Sequence, residues 1–150
     1  MTNELIFLKD QQQFIIDFTS CGIWGLHSKN TFEDNAVAMA VVNDRKGIIA
    51  GVIFHNYNPD AGTIEFSCYA AEKKWLSRKI LNQILHYPFD ELGLRIVFAN
   101  FSEKQKHIKH MAERLGATTH ILPDLWGVDE AKIVAILKAE DWKKSEIYVK

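Results

Sequence analysis

The chain has 150 residues, of which 47% are apolar, 11% aromatic and 25% charged. These proportions are typical of one soluble globular domain over residues 1–150 and exclude a fibre or a disordered tail. Eighteen Lys and Arg residues stand against nineteen Asp and Glu residues, which leaves a formal net charge of −1. This near-neutral balance argues against a strongly basic protein that binds along a nucleic-acid backbone.

Membrane and metal signals are absent from the sequence. No apolar run approaches the roughly 20 residues that a membrane-spanning helix needs, and the first residues, MTNELIFLKD, lack a basic segment followed by a long apolar one. We therefore expect a cytoplasmic protein with no membrane partner. Cys21 and Cys68 lie far apart with no His or Cys at ligand spacing nearby, so the sequence predicts two buried, reduced thiols and no metal site.

The N-terminal segment predicts one strand and one helix. Residues 4–8 are typical of a short strand. Asp10 is predicted to cap a helix whose apolar residues share one face, because a side-chain oxygen at that position accepts a hydrogen bond from the first helical turn. Gly22 and Gly25 are predicted to end this helix.

Three strands are predicted next. The apolar runs 36–42 and 48–55 flank a polar turn at 43–47, which indicates a hairpin. Residues 63–70 follow a turn rich in Asn, Pro, Asp and Gly. The sequence therefore predicts a three-stranded antiparallel meander.

The hydrophobic period then changes to that of a helix. Ser77 is predicted to cap a helix that Pro88 kinks or ends and that Gly93 closes. Residues 94–101 predict a further strand. A strand, helix and strand in series imply a right-handed crossover, and hence local parallel pairing inside an otherwise antiparallel sheet. A sheet that splays where its pairing changes would open a cleft for a ligand.

The C-terminal segment predicts one helix and two strands. Ser102 is predicted to cap a helix over 103–115, and Gly116 has the position of a left-handed C-cap. Strands are predicted over 117–122 and 132–137, with a loop between them. The predicted fold class is therefore α/β (α+β), with a mixed, mostly antiparallel sheet flanked by helices.

Three segments resemble the GNAT superfamily of acyl-CoA-dependent N-acetyltransferases. TIEFSCYAAEKKWLSRKIL is similar to the central strand, cofactor loop and helix of that superfamily, with Glu65 where the ribosomal-protein-acetyltransferase branch often has Glu. YPFDELGLRIVFANFSEKQKHIKHMAERLGAT resembles its next strand, helix and RLGF ending, with Ala117 in place of Phe, and VDEAKIVAILKAEDW resembles its closing strand. WLSR and YPFDELG are also similar to phage and prophage members. The resemblance implies a single GNAT domain with a V-shaped cleft.

The chain departs from the GNAT pattern at three places. Its KKWLSRK segment has no glycine, whereas the pyrophosphate loop of the superfamily has two. Gln105 replaces an Asn at the start of the later helix, and Ala112 stands where many members have a catalytic Tyr. A tyrosine acid at that last position is therefore excluded.

The resemblance implies that coenzyme A binds at the start of the helix after the central strand. Amide groups at a helix N-terminus favour phosphate, Arg78 adds a bidentate partner, and Lys73 or Lys74 adds a point charge. The alternative is a capped helix with a solvated basic end. The predicted donor-binding residues are Cys68, Tyr69, Ala70, Ala71, Lys73, Lys74, Leu76, Ser77, Arg78, Lys79 and Gln105.

Acyl transfer to an amine needs a base, a polarised carbonyl and an acid for the departing thiolate. Glu65 is the candidate base, acting through a water, and its alternative is an ordinary exposed strand residue. Ser67 and Tyr69 lie on the same face of the strand and are candidates to position the acceptor or supply the acid.

Three further residues are candidates for the acceptor site. His55 and Tyr57 lie near the end of the second meander strand, and Trp126 lies in the last loop. For His55, the alternative is a structural histidine in a satisfied environment. For Trp126, it is a cap over the core.

The leading hypothesis is a transferase that moves an acetyl group from acetyl-CoA to a primary amine by direct attack in a ternary complex. The acceptor is a small molecule, a protein N-terminus or lysine, or a DNA base. The alternatives are a phage-type DNA-modifying or nucleic-acid-binding protein similar to the Mom-type adenine modification proteins, and a catalytically silent CoA-binding module. An exposed terminal strand would also allow a homodimer.

Overall fold

The computed structural model describes residues 2–150, which form a seven-stranded, mostly antiparallel sheet flanked by helices. The strand order is β1-β2-β3-β4-β5-β7-β6. A 3-10 turn at Lys9–Gln11 precedes α1, and a π-helical segment at Tyr87–Glu91 follows α2. The elements in chain order are β1 (Asn3–Ile6), α1 (Gln12–Trp24), β2 (Val37–Asn43), β3 (Gly47–Asn58), β4 (Thr63–Ala70), α2 (Arg78–His86), β5 (Ile96–Ser102), α3 (Lys106–Arg114), β6 (Thr118–Gly127), β7 (Glu130–Lys138) and α4 (Ala139–Lys144).

The chain forms two compact units, of which the first contains the residues up to Tyr57 together with Phe66–Ile84. In this unit β2 pairs antiparallel with both β1 and β3. Ile15 of α1 is fully buried in one core cluster with residues of β2 and β3. The helix lies close to β3, because a Cβ added to Gly51 would lie 1.9 Å from the Thr19 hydroxyl oxygen.

The second unit contains Asn58–Glu65 and Leu85–Lys150. In it β7 pairs antiparallel with β5 on one side and β6 on the other. Trp142 of α4 is fully buried, with its ring stacked on Phe89 at 5.3 Å and edge-on to Tyr148 at 4.7 Å. This aromatic group supplies much of the apolar burial at the C-terminal end of the chain.

Several predicted features are confirmed. β4 has the predicted bounds, and the turn before β3 is held by the side chain of Asn43, which accepts hydrogen bonds from two backbone amides of the turn. Ser77 caps α2, because its hydroxyl accepts the N–H of Ile80 at 3.1 Å. Gly116 has a φ of 96°, as the left-handed end of α3 requires.

Two predicted boundaries of α1 are wrong. Asp10 does not cap the helix, because a 3-10 turn intervenes and the N-cap residue, Gln11, makes no side-chain cap bond. Gly22 lies inside α1, and Gly25 alone ends it, with a φ of 98°. Gly22 is needed for close packing instead, since a Cβ there would lie 2.1 Å from the Tyr69 ring.

The C-terminal region also differs from the prediction. Ser102 is the last residue of β5 and does not cap α3, because α3 begins only at Lys106, with Gln105 as its N-cap residue. The Ser102 hydroxyl donates to Glu130 at the start of β7 and accepts the N–H of Lys104 at 3.1 Å. The predicted loop from Pro123 belongs largely to β6, whose register against β7 shifts between Leu122 and Gly127. α4 was not predicted, since six residues are too few to show a helical period.

Four of the exposed large apolar residues lie in and just after β6, the edge strand beside β7. They are Ile121, Leu122, Leu125 and Val128. The homodimer expected from an exposed terminal strand stays a prediction, as does the single domain over residues 1–150. Within residues 2–150, no helix combines the length and the apolar character that crossing a membrane requires.

Candidate functional site

A hydrogen-bonded histidine and serine lie on neighbouring strands of the first unit. His55 Nε2 on β3 and Ser67 Oγ on β4 are 2.8 Å apart. His55 is 7% exposed, and it is the one buried histidine among residues 2–150. The Ser67 hydroxyl donates to Nε2 when the neutral ring carries its proton on Nδ1. Two residues that the sequence suggested separately, one for the acceptor site and one for catalysis, therefore form one pair.

Aromatic rings lie beside this pair. Phe32, in the segment before β2, meets the His55 ring edge-on with centroids 4.7 Å apart. Trp24, the last residue of α1, contacts Phe32 with centroids 5.5 Å apart. These rings fix the imidazole plane and remove water from one side of it. Sequence reasoning missed both, because nothing in the local pattern connects residues 24 and 32 with 55.

The backbone beyond His55 is also held in an unusual conformation. Asn56 has a φ of 53°, in the left-handed region that asparagine tolerates better than most residues. Its N–H donates to the carboxylate of Glu33. β3 continues to Asn58, and a left-handed residue within a strand disturbs the alternation of side chains between the two faces of the sheet. Tyr57 itself is 43% exposed.

Tyr69 packs against α1. Its ring meets Phe18 edge-on at 5.7 Å and occupies the space that a side chain at Gly22 would need. This packing fixes the ring and supports a structural role. The roles predicted for Tyr69 in donor binding and in catalysis stay predictions.

Glu65 has a different environment from Ser67. Asn100 of β5 donates from Nδ2 to the Glu65 carboxylate at 2.9 Å, and both residues belong to the second unit. The carboxylate is therefore oriented by an amide of the neighbouring strand. The sequence offered no signal for Asn100, because it lies 35 positions from Glu65 and the contact depends on how the two strands pair.

The Cys68 thiol is unsuited to act as a nucleophile. Burial raises the pKa of this thiol to about 12, so it stays protonated near neutral pH. An acyl-cysteine intermediate would need the thiolate. For Cys68, this agrees with the hypothesis of direct attack by the amine. The prediction that both cysteines are buried is wrong for Cys21, which is exposed on α1.

One backbone amide just after β4 is hydrogen-bonded to β3. The N–H of Ala71 donates to the Ile49 carbonyl at 2.8 Å, so that N–H is not available to a pantetheine arm. Ala70, the last residue of β4, is half-buried. Contacts of Ala70 and Ala71 with a donor stay predictions.

The start of α2 carries the predicted phosphate-binding residues. The Ser77 hydroxyl caps the first turn, and Asn82 donates to the Arg78 carbonyl at 2.8 Å one turn later. Leu76 is half-buried and faces the protein, whereas the polar residues around it reach solvent. The exposed residues are Lys73, Lys74, Ser77, Arg78 and Lys79. A capped helix start with exposed cations is suited to bind a diphosphate.

The remaining predicted site residues lie in the second unit. Gln105 is the exposed N-cap residue of α3 and makes no side-chain cap bond. Trp126 is half-buried near the end of β6. Their predicted roles in donor and acceptor binding stay predictions. No group of three or more His, Cys, Asp or Glu side chains within residues 2–150 is arranged to hold a metal ion.

Solved structures share this fold over nearly the whole chain. Mutant forms of the spermidine/spermine N-acetyltransferase SpeG from Vibrio cholerae are 17% identical, with 94% of this chain and 97% of that chain covered and a TM-score of 0.73. The dodecameric spermidine N-acetyltransferase from Vibrio cholerae is 16% identical, with 95% and 96% covered and a TM-score of 0.73. Another acetyltransferase structure is 18% identical over 73% of this chain and 62% of that chain, with a TM-score of 0.62.

No protein-family profile and no curated protein sequence matches the chain. At identities below 20%, the structural likeness establishes the fold, which is that of the GNAT acetyltransferases. The predicted fold class is thereby confirmed.

Proposed function

We propose that this protein is an N-acetyltransferase that transfers the acetyl group of acetyl-CoA to a primary amine. The observation that carries the proposal is the GNAT fold, which spans 94% of the chain in the comparison with a spermidine/spermine N-acetyltransferase. The start of α2 supports it, because a capped helix with exposed Lys and Arg side chains suits the diphosphate of coenzyme A. Arg78 is the proposed bidentate phosphate partner.

The reaction we propose is direct transfer in a ternary complex. The acceptor ammonium first loses a proton, and the neutral amine nitrogen then attacks the thioester carbon. The carbon–sulfur bond breaks, and the thiolate of coenzyme A leaves and takes up the second proton, which the attacking nitrogen loses as it becomes the amide. The products are an amide, the free thiol and one proton released to solvent. The high pKa of the Cys68 thiol supports this route over an acyl-cysteine.

Bound acetyl-CoA would supply the activated acyl group. This chain would supply phosphate contacts at α2 and polar side chains along β4. Ser67 and Glu65 lie two residues apart on that strand and are the proposed polar groups near the reacting amine. We further propose that the protein belongs to a ribosomal-protein-acetyltransferase-like, phage-type branch of this superfamily. This proposal rests on Glu65 and on the resemblance of the segments WLSR and YPFDELG.

The test is a turnover assay with acetyl-CoA and a panel of amines. Spermidine and spermine come first, because the structural neighbours act on spermidine. N-terminal peptides, lysine peptides and adenine-containing DNA complete the panel. Acetylated amine detected by mass spectrometry with equimolar free thiol supports the proposal. Donor binding without turnover on any acceptor would indicate a silent CoA-binding module, and modification of DNA alone would favour the Mom-like alternative.

A further inference from the structure

We infer that Ser67 and His55 form the path by which the acceptor amine loses its proton. Ser67 Oγ would contact the amine, and His55 Nε2 would receive the proton through the Ser67 hydroxyl. The inference rests on the proposed function and assigns the base that this function requires. It replaces Glu65, the base suggested by the sequence, with a pair that the fold assembles.

The geometry of the pair suits proton transfer. The separation of 2.8 Å between Nε2 and Oγ is that of a well-formed hydrogen bond. The imidazole is the buried partner and Ser67 is the partner with exposed surface, so the serine is the one placed to meet a ligand. A histidine that takes up the hydroxyl proton makes the serine oxygen more basic, so this oxygen can accept a proton from another group.

The surroundings hold the imidazole in place. Phe32 meets the ring edge-on, and the left-handed backbone at Asn56 of β3 is held by its hydrogen bond to Glu33. A fixed ring keeps Nε2 aimed at Ser67 during the reaction, which lowers the entropic cost of the transfer.

Titratable residues near the pair include Glu33, Tyr57 and Tyr69. Glu33 approaches from the segment before β2, where its carboxylate bonds to the next residue of β3. Tyr57 lies two residues further along β3, and Tyr69 lies two residues beyond Ser67 on β4. α1 contributes the aromatic residues Trp24 and Phe18 at this side of the unit. Glu33 therefore holds the backbone next to His55 through the N–H of Asn56.

The proton balance is complete within named groups. As the ammonium N–H bond breaks, Ser67 Oγ takes that proton and passes its own proton to His55 Nε2, which becomes an imidazolium. The neutral amine then attacks the thioester. As the carbon–sulfur bond breaks, the thiolate of coenzyme A takes up the second proton, which the attacking nitrogen loses when it becomes the amide. His55 returns its proton to solvent after the products leave, so the pair is regenerated with no other reactant.

Glu65 differs from this pair in its bonding. One of its carboxylate oxygens accepts from Asn100, which orients it toward β5. We therefore assign Glu65 the role of a positioning residue, whose oriented carboxylate would attract a cationic acceptor.

The test measures the pH dependence of kcat and kcat/KM for Ser67→Ala, His55→Gln and Ser67→Thr. Ser67→Ala removes one hydroxyl and is expected to lower kcat by about 100-fold, the usual scale of general-base catalysis, with the KM for acetyl-CoA unchanged. Ser67→Thr keeps a hydroxyl at this position, and its kcat is expected to lie within about tenfold of the wild-type value. The wild-type profile should show an ascending limb from an imidazole, and His55→Gln should lose it.

Two controls separate the possible failures. His120→Gln replaces an exposed histidine of β6 and is expected to leave the profile unchanged. In the absence of substrate, the ¹⁵N resonance of His55 Nε2 should shift in Ser67→Ala and return toward its wild-type position in Ser67→Thr. This second readout shows the hydrogen bond independently of activity.

The outcomes distinguish the inference from the function beneath it. If the wild type acetylates an amine but Ser67→Ala keeps its kcat and its pH profile, the inference is wrong and the proposed function stands. If Glu65→Gln alone removes the ascending limb, Glu65 is the base and the inference is also wrong. If the wild type acetylates no amine, the function fails and the inference fails with it.

Discussion

The polar groups of the two compact units differ in charge and in burial. In the first unit, His55 and Ser67 form a neutral pair beside aromatic rings, with the histidine buried. In the second unit, Glu130 bonds to Ser102 and pairs with the exposed Lys104 at 3.3 Å, at the end of β5 and β7. The first pair joins a buried imidazole to a hydroxyl and can pass a proton between them, whereas the second is an ion pair near solvent that ties two strands together.

This difference indicates where chemistry and stability lie in the molecule. The second unit gains its stability from aromatic burial around Trp142, and its charged groups secure the ends of elements. In the first unit, α1 packs closely against β3 and β4. Gly22 of α1 lies against the Tyr69 ring, and Gly51 of β3 lies against Thr19 of α1. That packing positions the strands that carry the proposed site.

Trp142→Ala is expected to have the largest effect on stability. Because the indole is fully buried between Phe89 and Tyr148, its truncation should lower the free energy of unfolding by about 3–5 kcal/mol. Urea denaturation followed by circular dichroism measures the change. Trp126→Ala, at a half-buried position, is the matched control and should cost much less. Equal losses for the two variants would contradict the aromatic core described for the second unit.

Gly22→Ala is expected to destabilise the first unit, although alanine is the better helix former. The added methyl group would overlap the Tyr69 ring, which should cost about 1–3 kcal/mol and outweigh the gain in helix propensity. Cys21→Ala, at the exposed neighbouring position of α1, is the control and should not destabilise.

A double variant sharpens this prediction. When Tyr69→Ala is combined with Gly22→Ala, the overlap disappears, so the combined loss should be smaller than the sum of the two single losses. Additive losses in urea denaturation would show that the two residues do not meet.

Acidification is expected to give the smallest effect, at the ion pair of the second unit. The Ser102 hydroxyl, and then Lys104, hold the pKa of the Glu130 carboxyl below its usual range. Since the folded pKa is the lower one, this contribution to stability is present above the unfolded pKa and is lost as the pH falls through the folded pKa. The urea midpoint of Glu130→Gln should therefore fall less than that of the wild type between neutral and acidic pH. A parallel fall in both would contradict the assignment.

Local signals predicted the parts of the fold whose causes are local. The bounds of β4, the Ser77 cap and the left-handed Gly116 depend on residues within one turn or strand. Ser102 was predicted to cap α3 because serine favours that position, but its hydroxyl bonds to Glu130, 28 positions away. α4 is held by the burial of Trp142, which a short sequence window cannot show.

In the candidate site too, local signals predicted single residues but not the contacts between them. His55 and Ser67 were each suggested by residue type and strand position, but their hydrogen bond depends on how β3 and β4 pair and on the left-handed Asn56. Phe32 and Glu33 complete the surroundings from a segment with no regular structure, so no periodicity marked them. The residues of a site were therefore predictable one by one, and their assembly was not.

The most direct test of the central claim is calorimetric titration of acetyl-CoA into the wild type, Arg78→Ala and Arg45→Ala. The account predicts saturable binding by the wild type, weakening of about tenfold in Arg78→Ala through loss of a phosphate contact, and no change in Arg45→Ala, whose side chain lies in the exposed turn before β3. No heat of binding by the wild type at roughly millimolar acetyl-CoA would contradict it.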